Sequence, residues 1–491
     1  MHTGHFLAAL TTLCVGSPSL AHAQAAVTEL RFGAMFASHG VIQRDTALEI
    51  WGDAAPRARL TVTLAGRQVA GRADEAGHWR VALPPLAAGG PYALSVADDA
   101  GHVVALDDVM IGDVWLCGGQ SNMEMRLGAA TNAWNEIRSS ANPALRFATI
   151  EKALAPTPRV RFTAPVAWKV VGPNSAGEAS AVCYQMAKAL QAATKVPIGF
   201  VNASWGGTAA EGWIAAPDLR ALKRFDAGLD LLDRYARTPE DPAVKATVNA
   251  PWTASDYSLS VLYNGMIAPL AGYRFKGVAW YQGESNWRAP RQYAELLPAL
   301  IANWRRTLGD TRLPFLVVQL PGFGALAAQP GDSAWPILRD MQRRVVDATA
   351  NTALVVTLDV GDRFDIHPSQ KAVVGERLAQ AARRLAYGQA VVAHPYPRGV
   401  RRVGSDLVID FAETDGPLKT IGGDHALGFE ACSAASDCHW AEARVAGAAV
   451  VLTGANRAEV AKVRYAWADA PVVNLFGGSN LPPGTFELPV P

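Results

Sequence analysis

Two residues far apart in the chain have the types needed for nucleophilic chemistry. Ser121 lies in Gly118-Gly-Gln-Ser-Asn-Met-Glu-Met125, directly after the apolar run Asp113-Val-Trp-Leu-Cys117. His367 lies in Asp362-Arg-Phe-Asp-Ile-His-Pro368 and is the sole histidine between residues 109 and 388. A serine hydroxyl attacks a carbonyl only with a base beside it, and here one imidazole is available for that. A carboxylate must orient the imidazole and stabilise its charged form, and Asp365 and Asp362 are the local candidates. An acyl-transfer site also needs donors converging on the oxygen that turns negative. Asn202-Ala-Ser-Trp-Gly-Gly-Thr208 offers backbone amides at Gly206 and Gly207, and Trp280-Tyr-Gln-Gly-Glu-Ser-Asn286 offers the side-chain amides of Gln282 and Asn286 beside Glu284.

Each of these segments alone has an ordinary reading as a tight turn, a polar loop or a capping histidine. Their common position after strand-like runs favours a site, because strand C-termini meet helix N-termini there in α/β folds. The strands expected are 114–117, 198–201, 277–281, 314–319 and 353–358, with helices over 181–192, 292–308 and 370–386. The last helix reads as having an Arg/Lys-rich solvent face. Residues 109–388 therefore read as an α/β domain with a sheet of about five strands between helical layers. Residues 24–108 and 389–491 show short alternating runs broken by turn residues, as in Ala58-Arg-Leu-Thr-Val-Thr-Leu64 and Asp406-Leu-Val-Ile-Asp410, and read as flanking β segments of sandwich type.

The chain has 491 residues, half of them hydrophobic, and a net charge of +1. That size supports two or three domains, and that charge gives no electrostatic case for nucleic acid or an anionic membrane. No apolar run beyond the first two dozen residues reaches the roughly 18 residues of a membrane helix. Residues 1–23 end in Ala21-His-Ala23 after an apolar stretch and read as an export signal, so a periplasmic or secreted protein is expected. In that compartment Cys432 and Cys438 make a plausible loop staple, whereas Cys117 and Cys183 sit in apolar patterns and read as buried thiols. No cysteine or histidine spacing suggests zinc, and no cofactor is implied.

Taken together, Gly118-Gly-Gln-Ser-Asn-Met-Glu-Met125, Ser204-Trp-Gly-Gly-Thr208, Leu262-Tyr-Asn-Gly-Met-Ile-Ala-Pro269, Trp280-Tyr-Gln-Gly-Glu-Ser-Asn286 and Asp365-Ile-His-Pro368 resemble the SGNH or GDSL-like hydrolases, in particular their sialate O-acetylesterase and carbohydrate acetylesterase branch. The resemblance implies a three-layer α/β/α SGNH-like domain flanked by N- and C-terminal β-sandwich segments. It implies Ser121 as nucleophile, His367 as base, and an oxyanion site made by the Ser121 amide, an amide at Gly206 or Gly207, and Gln282. The superfamily's usual acid position, three before the histidine, holds Phe364. The third member therefore stays open between Asp365, which is preferred, Asp362, and a Ser-His dyad oriented by a backbone carbonyl.

The expected activity is removal of acetyl groups from an acetylated saccharide by a serine acyl-enzyme route, without a metal. Trp205, Trp213, Trp280, Tyr281 and Trp287 offer faces for sugar rings, Asn286 and Arg288 are further substrate contacts, and Arg126 and Arg363 are additional cations near the motifs. The substrate class stays open between acetylated hemicellulose and O-acetylated sialic acid. A general acyl or aryl esterase, or a non-catalytic carbohydrate-binding protein, are the competing readings, and the oligomeric state is not legible.

Overall fold

The computed structural model describes residues 29–238 and 259–491. The expected export signal, residues 1–23, lies outside the described residues. Seven strands form the main path of one large sheet: β1 (Val103–Gly119), β2 (Asn142–Thr149), β3 (Trp168–Val171), β4 (Ile198–Ser204), β5 (Gly277–Tyr281), β6 (Phe315–Val318) and β7 (Thr352–Val355). Their spatial order is β3-β2-β4-β1-β5-β6-β7, and all neighbours run parallel except the antiparallel edge strand β3. Strands β4, β5 and β6 are buried at every residue, which suits parallel strands covered on both faces and explains their unbroken apolar runs.

Helix α1 (Ser121–Glu124) is a single turn directly after β1. Of the longer helices, α2 (Ala181–Thr194) packs against α5 (Lys371–Tyr387), and α3 (Tyr293–Thr307) against α4 (Ala334–Ala348). Helix α5 stops at Gly388, whose φ of 63° closes the helix in the left-handed conformation that glycine adopts without penalty. Strands β2 and β3 and helix α4 were not expected from the sequence.

Strand β1 crosses residue 108 without a break. Its first half pairs antiparallel with Gly89–Asp98 and parallel with Val41–Gln43, and its second half forms the centre of the main sheet. The N-terminal strands Leu48–Asp53, Arg59–Leu64 and His78–Leu83 share a continuous core with the central sheet. Beyond residue 388, two four-stranded antiparallel sheets enclose a core of their own, which also takes in Val356 and Leu358 just after β7.

The structure joins Cys432 to Cys438 across a hairpin, as the spacing suggested. It also joins Cys117 to Cys183, which corrects their reading as thiols. Cys117 lies near the end of β1 and Cys183 in the first turn of α2, so two apolar positions that look independent in sequence meet in space.

Candidate active site

The chain builds outward from β1 in both directions, to β4 and β2 on one side and to β5, β6 and β7 on the other. Loops leaving β4 and β5 therefore diverge at the C-terminal end of β1 and leave a crevice there. Register makes this concrete, since Ser204 of β4 and Tyr281 of β5 both stand opposite Gly119. Gly119 has φ of 141°, and a Cβ there would lie 2.1 Å from the Tyr281 carbonyl oxygen, so the strand can turn into α1 only with glycine. Ser121 occupies the first position of α1, where its amide has no acceptor within the helix. His367, on the loop before α5, places Nε2 2.8 Å from Ser121 Oγ across 246 positions of sequence.

Asp365 Oδ1 accepts the His367 backbone amide at 2.8 Å and stands 3.8 Å from Nδ1, within ion-pair reach but beyond hydrogen-bonding distance. Asp362 instead accepts from the Phe364 amide at 2.8 Å, which closes its own turn. The ring is thus better fixed through its backbone than through its Nδ1.

Of the expected oxyanion donors, Gly206 approaches most closely, since a Cβ on it would lie 3.1 Å from Ser121 Cβ. Its amide donates to Glu124 Oε2 at 2.6 Å, and the other oxygen of Glu124 pairs with Lys152 at 2.5 Å. Gly207, at φ 77°, continues the same turn. The fully buried Gln282 has its Nε2 within 3.1 Å of three acceptors, Gln120 Oε1, the Thr208 carbonyl and Asn286 Oδ1, while its Oε1 accepts from the Tyr293 hydroxyl. With its amide hydrogens so engaged, Gln282 ties the three site loops together and can donate to an oxyanion only by giving up one of these bonds.

Asn286 is likewise a buried tie between the site loops. It accepts from the Ala210 amide and donates to Glu211, whose carboxyl burial pushes up above the usual range. Trp280, Trp213 and Tyr281 are wholly buried, and Trp280 meets Trp213 and Trp304 edge-on. Their faces are covered by core side chains, so no sugar ring can stack on them. Trp205 is half-buried beside Lys152, whose ammonium lies 5.2 Å from its ring. Trp287, Arg288, Phe364, Arg363 and Arg126 are exposed, with Arg288 over the Trp287 ring and Arg363 over the Phe364 ring.

Three residues to which the sequence assigned no role lie directly beneath the Ser-His pair. Asn122, wholly buried, donates to Glu284 Oε1 at 2.5 Å and to the Ile366 carbonyl at 2.9 Å, and accepts from Lys371 Nζ at 2.5 Å. Burial raises the Glu284 carboxyl and lowers the Lys371 ammonium to about 8. The sequence signal was the adjacency of Asn122 to Ser121 and of Lys371 to the histidine loop. Among the described residues, one cluster has metal-ligand types close together, Glu430 with Cys432 and Cys438, but its sulfurs are joined to each other and Arg464 faces its carboxylate.

Residues 241–384 match a family model described as carbohydrate esterase, sialic acid-specific acetylesterase. The human sialate O-acetylesterase is 31% identical to this chain over 393 residues, covering 73% of this chain and 71% of that one. The mouse sialate O-acetylesterase is 29% identical over 495 residues, covering 90% of each. A carbohydrate acetylesterase of known structure from Xanthomonas citri is 36% identical, with a TM-score of 0.83 over 93% of this chain and 99% of that one.

Proposed function

Since the chain belongs to the carbohydrate esterase family that contains the sialate O-acetylesterases, we propose that it removes acetyl groups from sugar hydroxyls by a serine acyl-enzyme mechanism. The observation that carries the mechanism is the 2.8 Å contact of His367 Nε2 with Ser121 Oγ at the crevice end of β1. In this reading Ser121 attacks the acetyl carbonyl as His367 takes its proton. The imidazolium then protonates the departing sugar oxygen, which leaves as the free hydroxyl, and water activated by the same base releases acetate. Asp365 orients the ring through the His367 amide and its nearby charge.

The oxyanion falls to the Ser121 amide and an amide at Gly206 or Gly207. Gly206 can serve only once Glu124 lets go of it, and Gln282 only by giving up a present bond. We read the paired helices about the parallel sheet as the SGNH three-layer arrangement. We read the strands after residue 388 as an accessory β unit, whereas the N-terminal strands share the core of the central sheet. Two disulfides accord with an exported enzyme.

For the substrate we favour a neutral acetylated polysaccharide such as xylan or xyloglucan over O-acetylated sialic acid. The arginines near the motifs, Arg126, Arg288 and Arg363, are all exposed, which gives a sugar carboxylate no enclosed partner. The test is acetate release by the wild type and Ser121→Ala on acetylated xylan, acetylated xyloglucan and O-acetylated sialic acid. Ser121→Ala is expected to lose at least about 1,000-fold in kcat. Near-normal release by that variant would remove Ser121 as nucleophile, and preference for the sialic acid would reverse the substrate reading.

A further inference from the structure

His367 receives little orientation from its own neighbourhood. Its side chain and that of Asp365 are 42% and 59% exposed, and Nδ1 lies beyond hydrogen-bonding distance of that carboxylate. An imidazole must nevertheless be held within a few tenths of an ångström of the hydroxyl it serves. The fixation available lies one layer below. Asn122, the residue after the nucleophile, bonds the carbonyl of Ile366, the residue before the base. The same amide joins Glu284 on the turn after β5 and Lys371 at the start of α5, so one buried side chain clamps three chain segments to the nucleophile turn.

We propose that Asn122, Glu284 and Lys371 are positioning residues for His367, and that the charge on Lys371 keeps the base loop in register with Ser121. The inference rests on the esterase reading above. Its physical basis is the cost of burying charge. Lys371 is 1% exposed and Glu284 is 5% exposed, and each is tolerated because the other is present and Asn122 bonds both, although Glu284 Oε2 has no hydrogen-bond partner of its own. Losing the ammonium proton leaves the Glu284 charge buried and uncompensated and weakens the charge-assisted bond from Lys371 that orients the Asn122 amide. That amide is then held less firmly, and its grip on the Ile366 carbonyl loosens.

The groups facing the ammonium are Glu284, Asp365 on the base loop, the Asn122 amide, and the ring of Tyr281 on β5, 5.4 Å from Nζ, whose buried phenol stays neutral. Burial acts first and lowers the ammonium, while Glu284 and then Asp365 raise it, leaving it at about 8. The catalytic device therefore switches off in mildly alkaline solution. Unfolding through this group does not mimic the effect. Between about 8 and 10.5 the unfolded chain binds the Lys371 proton and the folded chain does not, so this group makes the fold more stable as pH rises.

The test is the pH dependence of kcat and KM for acetate release from pH 6 to 9.5, in wild type, Glu284→Gln and Lys371→Met, with the folded state of each variant checked by circular dichroism. Wild-type kcat is expected to fall about tenfold per pH unit above a midpoint near 8, with KM nearly unchanged. Glu284→Gln should move that midpoint to lower pH, because the carboxylate that favours the charged lysine is gone. Lys371→Met should lower kcat at pH 7 by roughly 10- to 100-fold and abolish the alkaline fall.

A flat wild-type kcat through pH 9.5 overturns the proposal without any variant having to fold. An alkaline fall that keeps its midpoint in Lys371→Met or Glu284→Gln does the same. Those outcomes leave a serine-dependent esterase intact, whereas absence of any Ser121-dependent acetate release takes down the esterase reading and this inference with it.

Discussion

Asp365 is the residue on which a conventional triad would depend, and its geometry assigns it a limited share. A buried acid bonded to Nδ1 contributes about 10,000-fold in the serine proteases. Here the carboxylate is more than half exposed, stands 3.8 Å from Nδ1 and bonds the His367 amide. Asp365→Asn is therefore expected to lower kcat by only about 10- to 100-fold, and Asp362→Asn by less than about twofold. Steady-state kinetics on the two variants checks this, and the opposite ranking would transfer the orienting role to Asp362. Ser121 and His367 were legible in the sequence because one followed a buried strand and the other was alone in its domain. Lys371 was not, because a lysine opening a helix reads as part of a solvated face, and only the packing of α5 against β5 and β6 shows that this one is buried.

At the scale of elements, the apolar periodicity that located β4, β5 and β6 also explains what was missed. Helix α4 buries Arg339, Asp340, Gln342 and Arg343 beside Leu338, Met341 and Val345, so polar side chains interrupt the apolar stripe of its inward face and blur it in the sequence. Those polar side chains have work to do, since Arg339 donates to the carbonyls of Ala466, Ala468 and Asp469 and so fastens α4 to the C-terminal segment.

A second fastener is His394, which accepts from the Val356 amide just beyond β7 and donates to the Pro482 carbonyl. Burial, aided by Arg377, lowers its ring to about 4 from the usual 6.5. Below pH 6.5 the unfolded chain gains a proton that the folded chain refuses, so stability is lost as pH falls from about 6.5 to about 4, and the group has no effect above that window. Thermal melts at pH 7.5, 5.5 and 4.5 should show a smaller acid-induced drop in Tm for His394→Gln than for wild type. An equal drop in both would assign the acid sensitivity to other groups.

For the molecule as a whole, the question is whether the C-terminal β segment binds carbohydrate or holds the catalytic loops. The contacts favour the second. Phe323 donates to the Asp469 carbonyl, the next residue Gly324 donates to the carbonyl of Arg363 on the base loop, and Thr485 donates to Gln319 at the end of β6. The terminal strand Phe486–Pro489 sits between its sheet partner Val460–Tyr465 and helix α4, where the Glu487 amide reaches Asp340. Phe486 is wholly buried against Tyr465, Phe411 and Phe429.

Phe486→Ala empties that core and is expected to cost about 3–5 kcal/mol, with a matching fall in Tm. If the segment is a structural brace, kcat on a small aryl acetate and on an acetylated polysaccharide should fall by the same factor at temperatures where the variant stays folded, because the disturbance reaches the chemistry through Asp469, Gly324 and Arg363. Loss confined to the polysaccharide would instead make the segment a binding module, since an aryl acetate is too small to need one, and the chain of backbone bonds to the base loop would then carry no catalytic weight.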